Sequence, residues 1–167
     1  MDLDRNRSIA LARRKAHKKL IGRLRRMKDG PLNELFHTAH DEVFEQVDCT
    51  TCANCCKTVG PLFTDRDIER IARHLGMRPG HFVETYLRMD EDDDYVLQHV
   101  PCAFLGDDDR CTIYDVRPKA CREYPHTDHP KMRTMLSSTL RNAPSCPAVL
   151  QVLERIDERV KRDARPG

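Results

Sequence analysis

Four thiols in eight residues, Cys49-Thr-Thr-Cys52-Ala-Asn-Cys55-Cys56, constrain this chain more than any other stretch. A disulfide needs Cα atoms about 5.5 Å apart and particular torsions, so side chains this crowded do not all pair with one another without strain. Two-residue gaps between Cys49, Cys52 and Cys55 suit another task. They let one loop aim several thiolates at a single point, as at zinc sites and iron–sulfur clusters. Four more cysteines follow, Cys102, Cys111, Cys121 and Cys146. Each falls at a turn or at the end of an expected element, where ligands can converge. Inert structural cysteines more often lie inside an apolar face.

Charged residues make up 34% of the 167, and aromatics only 5%, with no Trp. Such a chain has little apolar area to bury, so metal cross-links would add stability. Its length fits one modest domain. No run approaches the about 20 apolar residues that a membrane-spanning helix requires. The first residues lack the apolar stretch of a secretory signal. A cytoplasmic protein is therefore expected, where thiols stay reduced and eight cysteines favour metal over disulfides.

Charge is unevenly spread. Residues 1–28 hold eleven Lys and Arg against two Asp, whereas the remainder holds 18 basic and 25 acidic residues. A basic helical arm over 1–28 is expected, with Leu11, Ala16, Leu20, Ile21 and Leu24 as a thin apolar stripe. Residues 5–28 suit an acidic protein, a nucleic acid or an anionic surface, or else form a solvated helix docked on the body. The segment has no aromatics for base stacking, which weighs against single-strand binding.

The rest, 29–167, reads as a single metal-binding domain. Gly30-Pro31 opens a helix with Leu32, Leu35, Phe36, Ala39, Val43 and Val47 on its core face, and it leads directly to Cys49. Thr64 reads as an N-cap, with Asp65 and Asp67 in the first helical turn and Gly76 as the stop. Pro79 opens a further short helix anchored by Phe82, Val83, Tyr86 and Leu87. Asp90 to Asp94 reads as a solvated loop, because it lacks the spaced oxygens of a calcium site. Cys102–Leu105 and Cys111–Tyr114 are expected to form a small β-hairpin. Arg117-Pro118 begins a short helix bearing Cys121. His126 and His129 lie in a polar connection, with Met132, Met135 and Leu136 as anchors. Val149, Leu153, Ile156 and Val160 mark a last helix, frayed beyond Lys161. The fold class is thus mainly α with a small β-hairpin, an α+β arrangement of helices around a cysteine-rich centre.

The pattern Cys49-x2-Cys52-x2-Cys55-Cys56, Pro101-Cys102-Ala-Phe-Leu, Cys111-Thr-Ile-Tyr114-x2-Arg117-Pro118-x2-Cys121-Arg122-Glu-Tyr124-Pro125 and Cys146-Pro147 resembles the cysteine-cluster (CxxCxxCC, YkgJ-type) family of zinc- or iron-chelating domains. The resemblance spans about residues 49–147 and includes all eight cysteines. It implies that Cys49, Cys52, Cys55, Cys56, Cys102, Cys111, Cys121 and Cys146 bind metal. Ala53 stands where Gly is expected in many relatives, and Asn54 beside it tolerates the left-handed conformation. A similar cysteine cluster occurs in bacterial flagellin lysine methylases, which implies an alternative: a redox or modification enzyme with an iron–sulfur cluster.

Eight thiolates fit two tetrahedral four-cysteine sites, one four-cysteine cluster with spare ligands, or one shared polynuclear site. An extended chain at Cys55-Cys56 would point the two side chains apart. The cofactor is expected to be zinc or an iron–sulfur cluster, [4Fe–4S] included. Lys57, Arg117 and Arg122 are candidates to offset thiolate charge around it. A structural-zinc adaptor working through its basic helix is the further reading. No Ser-His-Asp set, carboxylate pair or phosphate loop identifies an enzyme.

Overall fold

The computed structural model describes residues 2–163. Among these, nine α-helices and a small antiparallel sheet form an α+β arrangement that is mainly helical. The chain divides into two compact units. One joins residues 1–48 to 125–167, and the other is the continuous stretch Cys49–Tyr124.

The first unit is wholly helical. α1 (Leu3–Ala12) and α2 (Arg14–Leu24) replace the single basic helix that the sequence suggests. The break falls at Arg13, with φ −89° and ψ 0°. Its guanidinium pairs with Glu154 and, at 3.3 Å, with Asp157. Asn6, Ala10, His17, Leu20, Ile21 and Leu24 share one buried face at helical spacing, which leaves Leu11 and Ala16 outward and His17 inward, where its Nε2 meets Glu154 at 2.7 Å. Leu20, Ile21 and Leu24 are buried as expected. α3 (Asp29–Phe44) buries Leu32, Phe36, Ala39 and Val43 at helical spacing, while Leu35 and Val47 are half-buried.

Residues 132–142 are expected as a polar connection but form a helix, α8 (Met132–Asn142). Met132, Leu136 and Thr139 repeat at four and three residues, and their burial decides the conformation. α9 (Pro147–Asp163) buries Val149, Leu153 and Ile156. It therefore continues past Lys161, and the expected fraying further on lies outside the described residues. α3 packs on α8 and α9, α2 on the same pair, and α1 on α9. Asn6 extends this by donating to the carbonyls of Ala143 and Pro144.

The second unit is built from shorter pieces. α4 (Asn54–Thr58) precedes β1 (Leu62–Phe63) and α5 (Asp65–His74). α6 (Pro79–Tyr86) then runs into β2 (Leu87–Met89), which pairs with β3 (Tyr95–Leu97). The sheet order is β1-β3-β2, with Phe63 opposite Tyr95 and Arg88 opposite Val96. The β-hairpin is thus β2-β3, and the acidic run is its turn. Asp90 accepts the N–H groups of Asp92 and Asp94, each at 3.0 Å, which closes that turn. The expected hairpin at 102–114 reduces to one bridge, Leu105 to Cys111. Phe104 and Ile113 leave the strand path to join Phe63, Ile71, Phe82 and Leu97 in a small core. α7 (Lys119–Glu123) ends the unit.

Candidate metal centre

Cys49 lies in a 3₁₀ turn, Cys49–Thr51, which Cys52 closes by donating to the Cys49 carbonyl at 3.2 Å. Ala53 is then left-handed, with φ 50° and ψ 8°, so the strained residue is Ala53 itself and not Asn54. This reversal starts α4, whose single turn carries both Cys55 and Cys56. Because the chain is helical there, the two side chains do not diverge as they would on a strand. A side-chain hydrogen bond joins them.

Three further segments bring thiols to α4. The Cys102 N–H donates to the Cys56 carbonyl at 2.8 Å, which fastens the two backbones together. Leu105 donates back to the Cys102 carbonyl at 3.0 Å and bridges to Cys111. Between them, residues 106–110 turn tightly. A Cβ at Gly106 would stand 2.9 Å from Asp108 Oδ1 and 3.3 Å from the Arg110 carbonyl oxygen, a close fit. Cys102 and Cys111 both rest against the aromatic core. Cys121 sits on α7, where its N–H donates to the Pro118 carbonyl at 3.0 Å.

The ionisation of these thiols reflects their closeness. The Cys56 thiol is pushed up by its hydrogen bond with Cys55, then by burial and by the charges of Cys55 and Asp109. Burial raises Cys102 to about 11, and Cys56 and Cys111 add to this. Burial raises Cys111 too, with Cys56 contributing. Cys121 is pushed up to about 12 by burial and by Cys56, Cys102 and Cys111 together. The Arg117 guanidinium lies 3.8 Å over the Tyr114 ring and acts in the opposite sense on Cys111 and Cys121.

The structure therefore gathers Cys55, Cys56, Cys102, Cys111 and Cys121 into one neighbourhood of the second unit. Cys49 and Cys52 directly precede them in the chain. Cys146 belongs to the helical unit, where it is buried at the start of α9 with its N–H on the Asn142 carbonyl. Among the described residues, no group of three or more His, Cys, Asp or Glu side chains is disposed to hold a metal ion. The thiols stand as neighbours rather than as a closed shell. Their donor chemistry still fits zinc or iron. Several half-buried thiols that oppose one another's ionisation are what a bound cation would deprotonate and stabilise.

The charged candidates divide. The Arg117 guanidinium donates to the Tyr114 carbonyl at 2.7 Å, and its charge favours the ionised forms of Cys111 and Cys121. Lys57 Nζ is 2.7 Å from Asp109, and Arg122 donates to the Arg117 carbonyl at 2.7 Å. His129 lies in the helical unit, and its carbonyl accepts from His37 at 3.1 Å.

One positioning pair escapes a cysteine-centred reading. Asp67, only 1% exposed, completes a capping box with Thr64 and holds Arg70 at 2.5 Å. It also accepts the Lys119 N–H at 3.1 Å, and Arg70 donates to the Arg117 carbonyl at 2.9 Å. Together they fix the start of α7 and hence Cys121. Burial alone would raise the Asp67 carboxyl, but hydrogen bonds from Thr64, Arg70 and Lys119 outweigh it and hold it below the usual range. The Thr64-x-x-Asp67 spacing signals the cap. Nothing in the sequence signals that this carboxylate also reaches residue 119.

Thiols from separate segments thus lie half-buried beside a small core. Residues 48–147 match the model of the CxxCxxCC family, described as "Putative zinc- or iron-chelating domain". The match takes in more than half of the chain, and the chain belongs to this family. No curated protein and no solved structure matches it. Among the described residues, no helix is long and apolar enough to cross a membrane.

Proposed function

We propose that the eight cysteines bind zinc or an iron–sulfur cluster, and that this metal staples the Cys49–Tyr124 unit together. The observation that carries the reading is the mutual approach of Cys56, Cys102, Cys111 and Cys121 from four separate segments. Those segments are a five-residue helix, two turns and another five-residue helix. Helices this short are unstable alone, because nucleation costs more than one or two hydrogen bonds return. A thiolate-bound ion would supply what local structure does not. Bound metal replaces thiol protons, so the suppressed ionisation of these groups makes loading pH-dependent. Arg117 would offset part of the thiolate charge, and Lys57 would do so only after release from Asp109. A reducing compartment, the cytoplasm, follows from thiolate ligation.

The exposure of Cys49 favours a second reading, in which an iron–sulfur cluster at the surface serves redox or modification chemistry. Elemental analysis and an absorption spectrum of protein purified without oxygen separate the two. Zinc in a colourless protein that loses structure on chelation supports the staple. Iron with acid-labile sulfide and visible absorption supports the cluster. Protein that carries neither metal, and keeps its structure under chelation, overturns both. Single Cys→Ser changes at all eight positions then assign the ligands by metal content.

A further inference from the structure

The eleven cations of residues 5–28 run without a single acidic residue, from Asp4 to Asp29. A helix whose charges serve only solubility gains from opposite charges three or four residues apart. Here those spacings join like charges: Lys15 to Lys18 and Lys19, and Lys19 to Arg23. The first turn of α2 holds Arg14 and Lys15 and no acid, the wrong sign for the helix dipole. Arg14, Lys15, Lys18, Lys19, Arg23 and Arg26 are exposed, and none forms an ion pair among the described residues. Helix stability therefore does not account for this placement.

The opposite face decides what kind of polyanion fits. Leu20, Ile21 and Leu24 are 2%, 4% and 0% exposed, so the apolar face is already spent on the helical unit. An interfacial membrane helix needs that face for the lipid. On α1, Ile9 and Leu11 are exposed, but two residues apart on a helix they point to different sides and make no continuous patch. No aromatic residue occurs before Phe36, so bases have nothing to stack on. Gly22 lies in the middle of the cationic face, with nothing within 4 Å of a Cβ placed there. It leaves a gap between Lys18, Lys19, Arg23 and Arg26 that a bulky backbone can enter.

We infer that the outer face of α2 binds the phosphodiester backbone of a double-stranded nucleic acid without regard to sequence. Eleven helical residues extend about 16 Å, close to five base-pair steps. Lys15, Lys18, Lys19, Arg23 and Arg26 supply the phosphate contacts. This inference is independent of the metal reading, because every residue it uses lies in the helical unit.

The test is fluorescence anisotropy of the full metal-loaded chain with a labelled duplex of about 20 base pairs, over about 50 to 200 mM salt. Binding should weaken with a log–log slope of about −4 and be alike for unrelated sequences. Each Lys→Gln change at 15, 18 and 19 should lower the slope by about 1. The pair Arg66→Gln and Arg73→Gln, exposed cations on α5, should change nothing. A slope near zero overturns the inference, as does equal binding by the triple Lys→Gln variant with an unchanged circular dichroism spectrum. Tighter binding to phosphatidylserine vesicles, or to polyglutamate, at equal anionic charge also overturns it, in favour of a membrane or an acidic protein.

Discussion

The two units solve the problem of stability differently. The helical unit relies on long elements, α3 and α9 with 16 and 17 residues, whose buried faces repeat at helical spacing. Around that core, Arg155 and Arg159 pair with Glu42, and Arg133 pairs with Asp29 at 2.6 Å. The cysteine unit has strands of two and three residues, two helices of five, and helices of only eight and ten. Its small core mixes Ile68, Ile71, Leu87 and Leu97 with aromatics, of which Phe82 and Phe104 stack with centroids 6.0 Å apart. One unit can meet its entropy cost by burial, and the proposed metal would cross-link the other.

Chelation should break this symmetry most strongly. Structural thiolate sites contribute on the order of 10 kcal/mol of apparent folding free energy. Hydrogen exchange after metal removal should show amides of 49–124 losing protection while α3, α8 and α9 keep theirs. Equal loss in both units would erase the distinction.

Two phenylalanines, each 0% exposed, provide the next contrast. Phe36→Ala and Phe82→Ala should each cost about 3–5 kcal/mol in thermal or denaturant unfolding. Metal at about 1,000 times its dissociation constant should return about 4 kcal/mol to the Phe82 variant. It should return nothing to the local stability of α3 in the Phe36 variant, read by exchange.

Asp67→Asn tests whether the thiol bearing α7 is held by the carboxylate as well as by metal. Removing one partner of a buried pair costs about 3 kcal/mol. The folded carboxyl titrates below its unfolded value, so its contribution is complete above about pH 4 and disappears as pH falls through the folded value. The natural chain should lose this stability on acidification, and the Asn variant should lack that part of the acid slope. The smallest effect lies in the other unit. Gly22→Ala should raise the stability of α2 by about 1 kcal/mol, because nothing crowds a Cβ there.

The helical unit was largely legible from the sequence. Leu32, Phe36, Ala39 and Val43 announce one buried face, and Val149, Leu153 and Ile156 another. The capping residue Thr64 and the stop at Gly76, with φ 66°, were also readable from local chemistry. What was not legible depended on partners distant in the chain. Arg13 interrupts the basic helix because Glu154 and Asp157 receive it, and no local signal marks a break there. Residues 102–114 have strand composition, but Phe104 and Ile113 gain more from the aromatic core than from a ladder. At the candidate centre, the thiols could be counted but not grouped. That α4 carries Cys55 and Cys56 on one turn follows from the left-handed Ala53, a residue that disfavours this conformation.

The chain order of the two units sets a schedule. During synthesis every residue of Cys49–Tyr124 emerges before the helical unit has received α8 and α9. Contiguous units fold as they appear, whereas one divided between distant segments must wait for the later piece. The seven thiols from Cys49 to Cys121 are thus presented while α2 and α3 still lack the helices that cover them.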